Sequence, residues 1–300
     1  MDYFVPLPGT QAPSFAGSTL VLPQPSLSSL AQLACDLLVH NLRLELVGYL
    51  GVRDYVPAVG GRDGLPGDAE QEGLALGTEV YTTPSRSLTL VLPRSPVIRA
   101  RKEHHLQAIS AWVAAGGFKD VLVVAGTDAA MRGDDGLNAA TPLRHLLPPS
   151  SPSTPLLTSL ASLCPSYLSS SPSGISSPGP TTSSSTSSTL PPIPHGGLTR
   201  SLMLALAAHA PTSPAAALLI YTSEGAAVDA AHYLASALAA VLGPQLGEVR
   251  GLVPVETQQQ KLQVEGEDAE GARRWKEPRS WERGLMGPEL GRDAGREMYG

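Results

Sequence analysis

The chain has 300 residues, a net charge of −6, two cysteines and 28 prolines. Without a strongly basic face it is a poor candidate for binding nucleic acid. No run approaches 18 uninterrupted apolar residues, and the start MDYFVPLPG has neither a basic n-region nor a long apolar core, so neither a membrane span nor a signal peptide is expected. Cys35 and Cys164 lie far apart and are expected to be reduced thiols of a cytosolic or nuclear protein.

In chain order, Ser18 to Leu22 is a short apolar run between Gly17 and Pro23 and predicts a buried strand. Ser26 can cap a following helix whose stripe is Leu27, Leu30, Ala31, Leu33, Ala34, Leu37 and Leu38, with Asp36 off the stripe. A strand over Leu44 to Leu50, a Gly-rich loop over Gly60 to Asp68, and strands at Glu79 to Thr83 and Leu88 to Leu92 come next. Arg99 to Ala115 has helical spacing through Leu106, Ile109 and Val113, and Gly116-Gly117 can end it. Asp120 to Ala125 (DVLVVA) is the clearest strand, its continuous β-branched run suiting a parallel strand covered on both faces. Leu198 to His209 predicts a helix, Ala216 to Tyr221 a buried strand, and Gly225 to Leu242 an Ala-rich helix closed by Gly243-Pro244.

This alternation predicts a layered α/β/α fold with a mostly parallel sheet. The expected organisation is one domain built from 1–147 and 193–255, interrupted by a Ser/Pro-rich disordered insertion at 148–192. A charged flexible tail, 256–300, holds ten acidic and eight basic residues up to Glu297. Neither segment carries enough apolar surface to offset the entropy of ordering it.

Candidate chemistry is sparse. An open parallel sheet binds ligands outside the carboxyl ends of its strands. The loop GTDAAMRGDDG after Val124, with Asp128, Asp134 and Asp135, falls there. The spacing of those carboxylates matches no calcium loop, and a solvated acidic turn is the expected reading. Gly60, Gly61, Gly64 and Gly67 lack the Lys-Ser/Thr of a phosphate loop and read as an ordinary connection. His104 and His105 point about 100° apart on a helix and read as solvated residues rather than ligands of one metal. Arg94, Arg99, Arg101 and Lys102 read as a soluble helix start, the alternative being a patch that meets an acidic partner. No G-x-S-x-G elbow, C-x-x-C pair or H-E-x-x-H helix occurs. Trp275 and Trp281 stand isolated in the charged tail, as partner anchors or as incidental residues.

The end of the chain, Met298-Tyr299-Gly300, offers an apolar foot, a phenol and a terminal carboxylate. A pocket with a basic side chain and backbone N–H groups could capture all three.

Several blocks stand in one order: Phe4 to Leu38 (FVPLPGTQAPSFAGSTLVLPQPSLSSLAQLACDLL), Leu46 to Gly60 (LVGYLGVRDYVPAVG), Glu79 to Ile98 with the helix and strand AISAWVAAGGFKDVLVVAG, Thr141 to Leu147, and Ile193 to Met203. As a set they resemble the proteasome assembly chaperone 2 family. The resemblance implies a non-enzymatic chaperone without cofactor or metal. It implies a heterodimer with proteasome assembly chaperone 1 that promotes assembly of the 20S proteasome α ring and guards its outer face. It also implies that the hydrophobic-Tyr-X end, here Met298, Tyr299 and Gly300, enters a pocket between α subunits, where a lysine meets the carboxylate of Gly300. The 148–192 insertion and the long polar stretch before the terminus depart from the family pattern. The competing reading is a small-molecule hydrolase or phosphorylase of similar layered fold, with convergent polar residues near Gly126 to Asp135. A third is a scaffold that binds partners through the Ser/Pro-rich segment.

Overall fold

The computed structural model describes residues 3–69, 73–132, 139–148, 152–167, 190–225, 227–246 and 275–282. Eight strands form one sheet: β1 (Phe4–Pro6), β2 (Thr19–Pro23), β3 (Glu45–Leu50), β6 (Thr78–Thr82), β7 (Leu88–Pro93), β8 (Asp120–Asp128), β9 (Leu143–Leu146) and β10 (Ala215–Thr222). Their spatial order is β1-β3-β6-β7-β2-β8-β10-β9. The neighbours β7, β2, β8 and β10 are parallel, and antiparallel strands flank them on both sides. A separate hairpin joins β4 (Val59–Gly61) to β5 (Leu74–Leu76). It lies within the Gly-rich stretch and beyond it.

The continuous apolar runs occupy the parallel centre because both of its faces are covered. On one face Val21, Leu122, Val124, Leu218 and Ile220 meet α1 (Leu30–Asn41) and α5 (Val228–Leu246). On the other, Leu20, Leu22, Val121, Val123 and Leu219 meet α2 (Lys102–Gly116) and α4 (Thr199–His209). The two helices of each face also pack on one another. This is the expected layered α/β/α domain.

Several local expectations are corrected. Ser26 makes no capping bond; a 3-10 turn at Leu27–Ser29 precedes α1, and Ser26 Oγ accepts instead from the Gly126 N–H at 2.8 Å. Helix α2 does end as expected, with Gly117 in the left-handed conformation at φ +64. Helix α5 runs past Gly243-Pro244 to Leu246, because Leu242 and Leu246, one turn apart, are both buried in the core.

The 148–192 segment does not loop out as a whole. Pro155–Leu163 forms α3, which packs against α5, and Leu156, Leu157, Leu160 and the following Cys164 are buried in the core. Thr154 caps this helix by accepting the Leu157 N–H at 3.3 Å, with Pro155 at the first helical position. On the other face Tyr167 and Leu190 are buried as well. A Ser-rich average composition had masked three leucines at helical spacing.

The tail does not read as wholly flexible either. Trp275–Glu282 lies against the domain and ends in a single helical turn, α6 (Arg279–Glu282). Among the described residues no helix is long and apolar enough to cross a membrane.

Candidate functional site

Met298, Tyr299 and Gly300 lie outside the described residues, as do Asp134 and Asp135. The structure does show how the chain is held just before its last stretch. Lys276 is paired through its backbone with the side-chain amide of Asn41 at the end of α1. Asn41 Nδ2 donates to Lys276 O, and Lys276 N donates to Asn41 Oδ1, both at 2.9 Å. On α5, Trp275 Nε1 donates to Ser236 Oγ at 2.8 Å, and His232 Nε2 stands 3.2 Å from Glu277 Oε1. From the Gly-rich loop, Gly64 O accepts the Arg279 N–H at 3.0 Å, and the Arg279 guanidinium donates to the carbonyls of Leu65 and Asp68. Ser280 donates through both N–H and Oγ to the carboxylate of Asp63. Trp281 is buried in the α1/α5 core, only 6% exposed.

Trp275 and Trp281 therefore anchor the chain to itself. The Gly-rich loop that reads as a plain connection receives Arg279 and Ser280 between them. Nothing local in the sequence announces this, because Asn41 and Lys276 are 235 residues apart.

Beneath the segment lies a network of charges. Arg94, at the end of β7, reaches Glu79 Oε2 at 3.0 Å and Asp36 Oδ1 at 3.4 Å, and His40 Nε2 stands 3.6 Å from Asp36. Glu79 is fully buried and also accepts from Tyr81 Oη at 2.9 Å. Burial works against the charged form of Asp36. The facing His40 and Arg94, with the Trp281 indole adding less, outweigh it and hold the carboxyl below its ordinary range. Burial likewise pushes the Tyr81 phenol up, and the Glu79 carboxylate pushes it further. Asp36, expected off the apolar stripe, is buried because Arg94 comes to meet it. Arg94, its side chain still 30% exposed, thus caps two buried carboxylates rather than standing free at a solvated helix start.

The second predicted site is the crevice outside the strand ends. Strand β8 runs on to Asp128, which accepts from the Ala130 N–H at 2.9 Å and pairs with His195 Nδ1 at 3.1 Å. The crevice is crossed by backbone. His195 O accepts from the Leu27 N–H at 3.1 Å, and Pro194 O accepts from the Asp128 N–H at 3.2 Å and from Thr127 Oγ1 at 3.0 Å. Gly197 has φ +61, and a Cβ there would collide with the Pro25 carbonyl oxygen. Ser28, Ser29 and His195 also hold left-handed conformations, each costing about 1–3 kcal/mol. Thr127, Asp128, His195 and the Pro194 and His195 carbonyls at the strand ends are thus used on one another and on the Leu27 N–H. Cavities of about 220 and 510 Å³ instead border the β4–β5 hairpin, the first lined by Arg62, Asp63 and Asp68, the second by Arg62, Asp63 and Ser280.

The two histidines of α2 separate. His104, half exposed, has Nδ1 2.9 Å from the carboxylate of buried Asp54, which also accepts from Arg101 Nε at 2.9 Å. His105 is not solvated as expected. It is 1% exposed, with Nδ1 2.7 Å from Tyr3 Oη and its ring edge-on to Tyr55. Burial pushes its pKa down to about 4, against a smaller opposing effect of Asp54. Among the described residues no three His, Cys, Asp or Glu side chains gather as a metal site.

The family model of the PAC2 family matches residues 20–265. The chain is 34% identical over 147 residues to human proteasome assembly chaperone 2, covering 49% of this chain and 55% of that protein. It is 31% identical over 142 residues to the zebrafish (Danio rerio) protein of the same name, covering 47% and 54%. The chain thus spans about half the length of the curated relatives it matches. Among solved structures it is similar to Pyrococcus furiosus PbaA, an archaeal homolog of proteasome-assembly chaperone. The TM-score is 0.53 at 15% identity, over 79% of this chain and 88% of that one. At that identity the likeness is one of fold.

Proposed function

The chain belongs to the PAC2 family, and from that premise we propose that it is a proteasome assembly chaperone and not an enzyme. In this reading it pairs with proteasome assembly chaperone 1, promotes assembly of the 20S α ring, and docks on the ring's outer face through Met298, Tyr299 and Gly300. The observation that carries the reading is the family match across 20–265, with relatives named proteasome assembly chaperone 2. The crossed crevice supports it over a hydrolase or phosphorylase, because the place where a layered α/β enzyme holds its substrate is filled by residues 193–197.

A three-residue end buries little surface and binds weakly alone. Held beside the ring by a folded heterodimer, it acts at high effective concentration and supplies register. Tyr299 is the principal anchor, since its ring and hydroxyl act together. Recovery of α subunits and a chaperone partner on co-purification tests the function. Binding of the heterodimer to 20S particles with Tyr299→Ala, or with one residue appended to Gly300, tests the docking. Unchanged affinity in both variants would refute it.

A further inference from the structure

A tail that docks by its last three residues needs an origin, and three distant parts of the domain converge to provide one. The amide of Asn41 reads both the donor and the acceptor of the Lys276 backbone, as a neighbouring strand would. Gly64 O takes the Arg279 N–H, and Asp63 takes both donors of Ser280. Trp281 fills a place in the core of the α1/α5 face, and Trp275 packs on that core while bonding Ser236. Backbone pairing fixes register, and one buried and one partly buried indole fix depth, so the segment has one seat. A stretch resting on the surface by charge alone would have many.

We propose that Trp275–Trp281 is an intramolecular clasp that fixes where the C-terminal tail leaves the domain. Asn41, Asp63 and Trp281 are then positioning residues for tail docking, although none touches a partner. The inference rests on the docking reading of Met298, Tyr299 and Gly300. With the clasp closed, about 15 residues separate Glu282 from Met298, a contour of at most ~50 Å. With it open, the tether starts after Leu246 and about 51 residues intervene, a contour of up to ~170 Å. Once a tether spans its sites, effective concentration falls roughly as the −3/2 power of its length. Opening the clasp should weaken docking roughly sixfold without altering any contact with the ring.

The test uses the full chain paired with its partner and measures affinity for 20S particles. Trp275→Ala with Trp281→Ala removes the two indoles that seat the segment and so opens the clasp, leaving the acceptors of the Lys276 and Arg279 amides in place. An insertion of about 36 Gly/Ser residues after Glu282 lengthens the tether with the clasp intact, so it needs no core change. Each is expected to weaken binding roughly sixfold, the two together little more than either alone, and neither to have an effect when Tyr299→Ala is present. Hydrogen exchange at the Lys276 and Arg279 amides reports the clasp directly, with protection expected in the parent and insertion chains and lost in the double variant. Unprotected amides in the parent chain overturn the clasp. Full affinity in the insertion variant, with Tyr299→Ala damaging, overturns its positioning role. An inert Tyr299→Ala overturns the docking reading and the positioning role with it, while the exchange pattern alone still decides whether the clasp forms.

Discussion

His105 makes folding stability depend on pH in a predictable direction. Its folded pKa is about 4, against an ordinary value of 6.5, because burial disfavours the imidazolium. The unfolded chain therefore binds the proton more tightly than the folded one. The contribution is fully present above pH 6.5 and is lost as pH falls toward 4. By pH 4.5 the loss is about 2.5 kcal/mol, since each pKa unit is worth about 1.4 kcal/mol. The groups facing the ring leave this sign in place. Asp54 opposes the shift, His104 adds to it, and burial holds the Tyr3 and Tyr55 phenols neutral across the range. Urea unfolding between pH 7.5 and 4.5 reads the effect as a midpoint lowered by about 1 M, for slopes of a few kcal/mol/M. His105→Asn removes the titrating ring and leaves an acceptor near Tyr3 Oη. It should start less stable, having lost the edge contact with Tyr55, yet show a flatter pH profile. Parallel profiles for the two proteins would refute the assignment of the proton to His105.

Three further outcomes are expected. Leu160→Ala, in the segment that composition alone assigns to disorder, should cost about 2–5 kcal/mol in urea unfolding, as for a fully buried leucine. Arg94→Ala should cost about 2–4 kcal/mol at neutral pH, because it strands the fully buried Glu79 and Asp36. The figure sits at the lower side for a broken buried pair, since the Arg94 side chain is itself 30% exposed. The stability that Arg94 gives through Asp36 is present above that carboxyl's unfolded value of 3.8 and lost as pH falls through its depressed folded value, so this part of the cost should shrink in acid. Cys35 and Cys164 are both free and buried, with Cys164 pushed up to about 12 by burial, and should react with a thiol reagent at pH 8 only on unfolding.

The parallel centre of the fold was legible because its signal is local. Strands β2, β8 and β10 are continuous apolar runs, and helices α1, α2 and α4 show their spacing within a single window. The edge strands were harder to read. Strand β1 is three residues ending at a proline, and β9, with Arg144 and His145 at its centre, has no apolar run at all. Helix α3 was hidden by averaging, since three leucines and a Thr-Pro cap disappear inside a Ser-rich window. At the candidate site the failure was different in kind. The residue types were noticed, but their partners were not, because each pairing joins distant segments: Arg94 with Asp36, His105 with Tyr3, Trp275 with Ser236.

Those pairings bear on how a docking end would work. An end group recognised by three residues carries little binding energy, so its effectiveness depends on what holds it near its pocket. In this chain the same face of the domain packs α1 on α5, buries Asp36 and Glu79 beneath Arg94, and seats Trp281 beside Asp36. The origin of the tail is thereby tied to the folding of the domain core. A substitution such as Arg94→Ala, far in sequence from the terminus, should loosen the Lys276 and Arg279 amides in hydrogen exchange before the sheet amides of β8 exchange. Simultaneous loss of protection in both would show that the clasp has no stability of its own to regulate and opens only when the whole domain does.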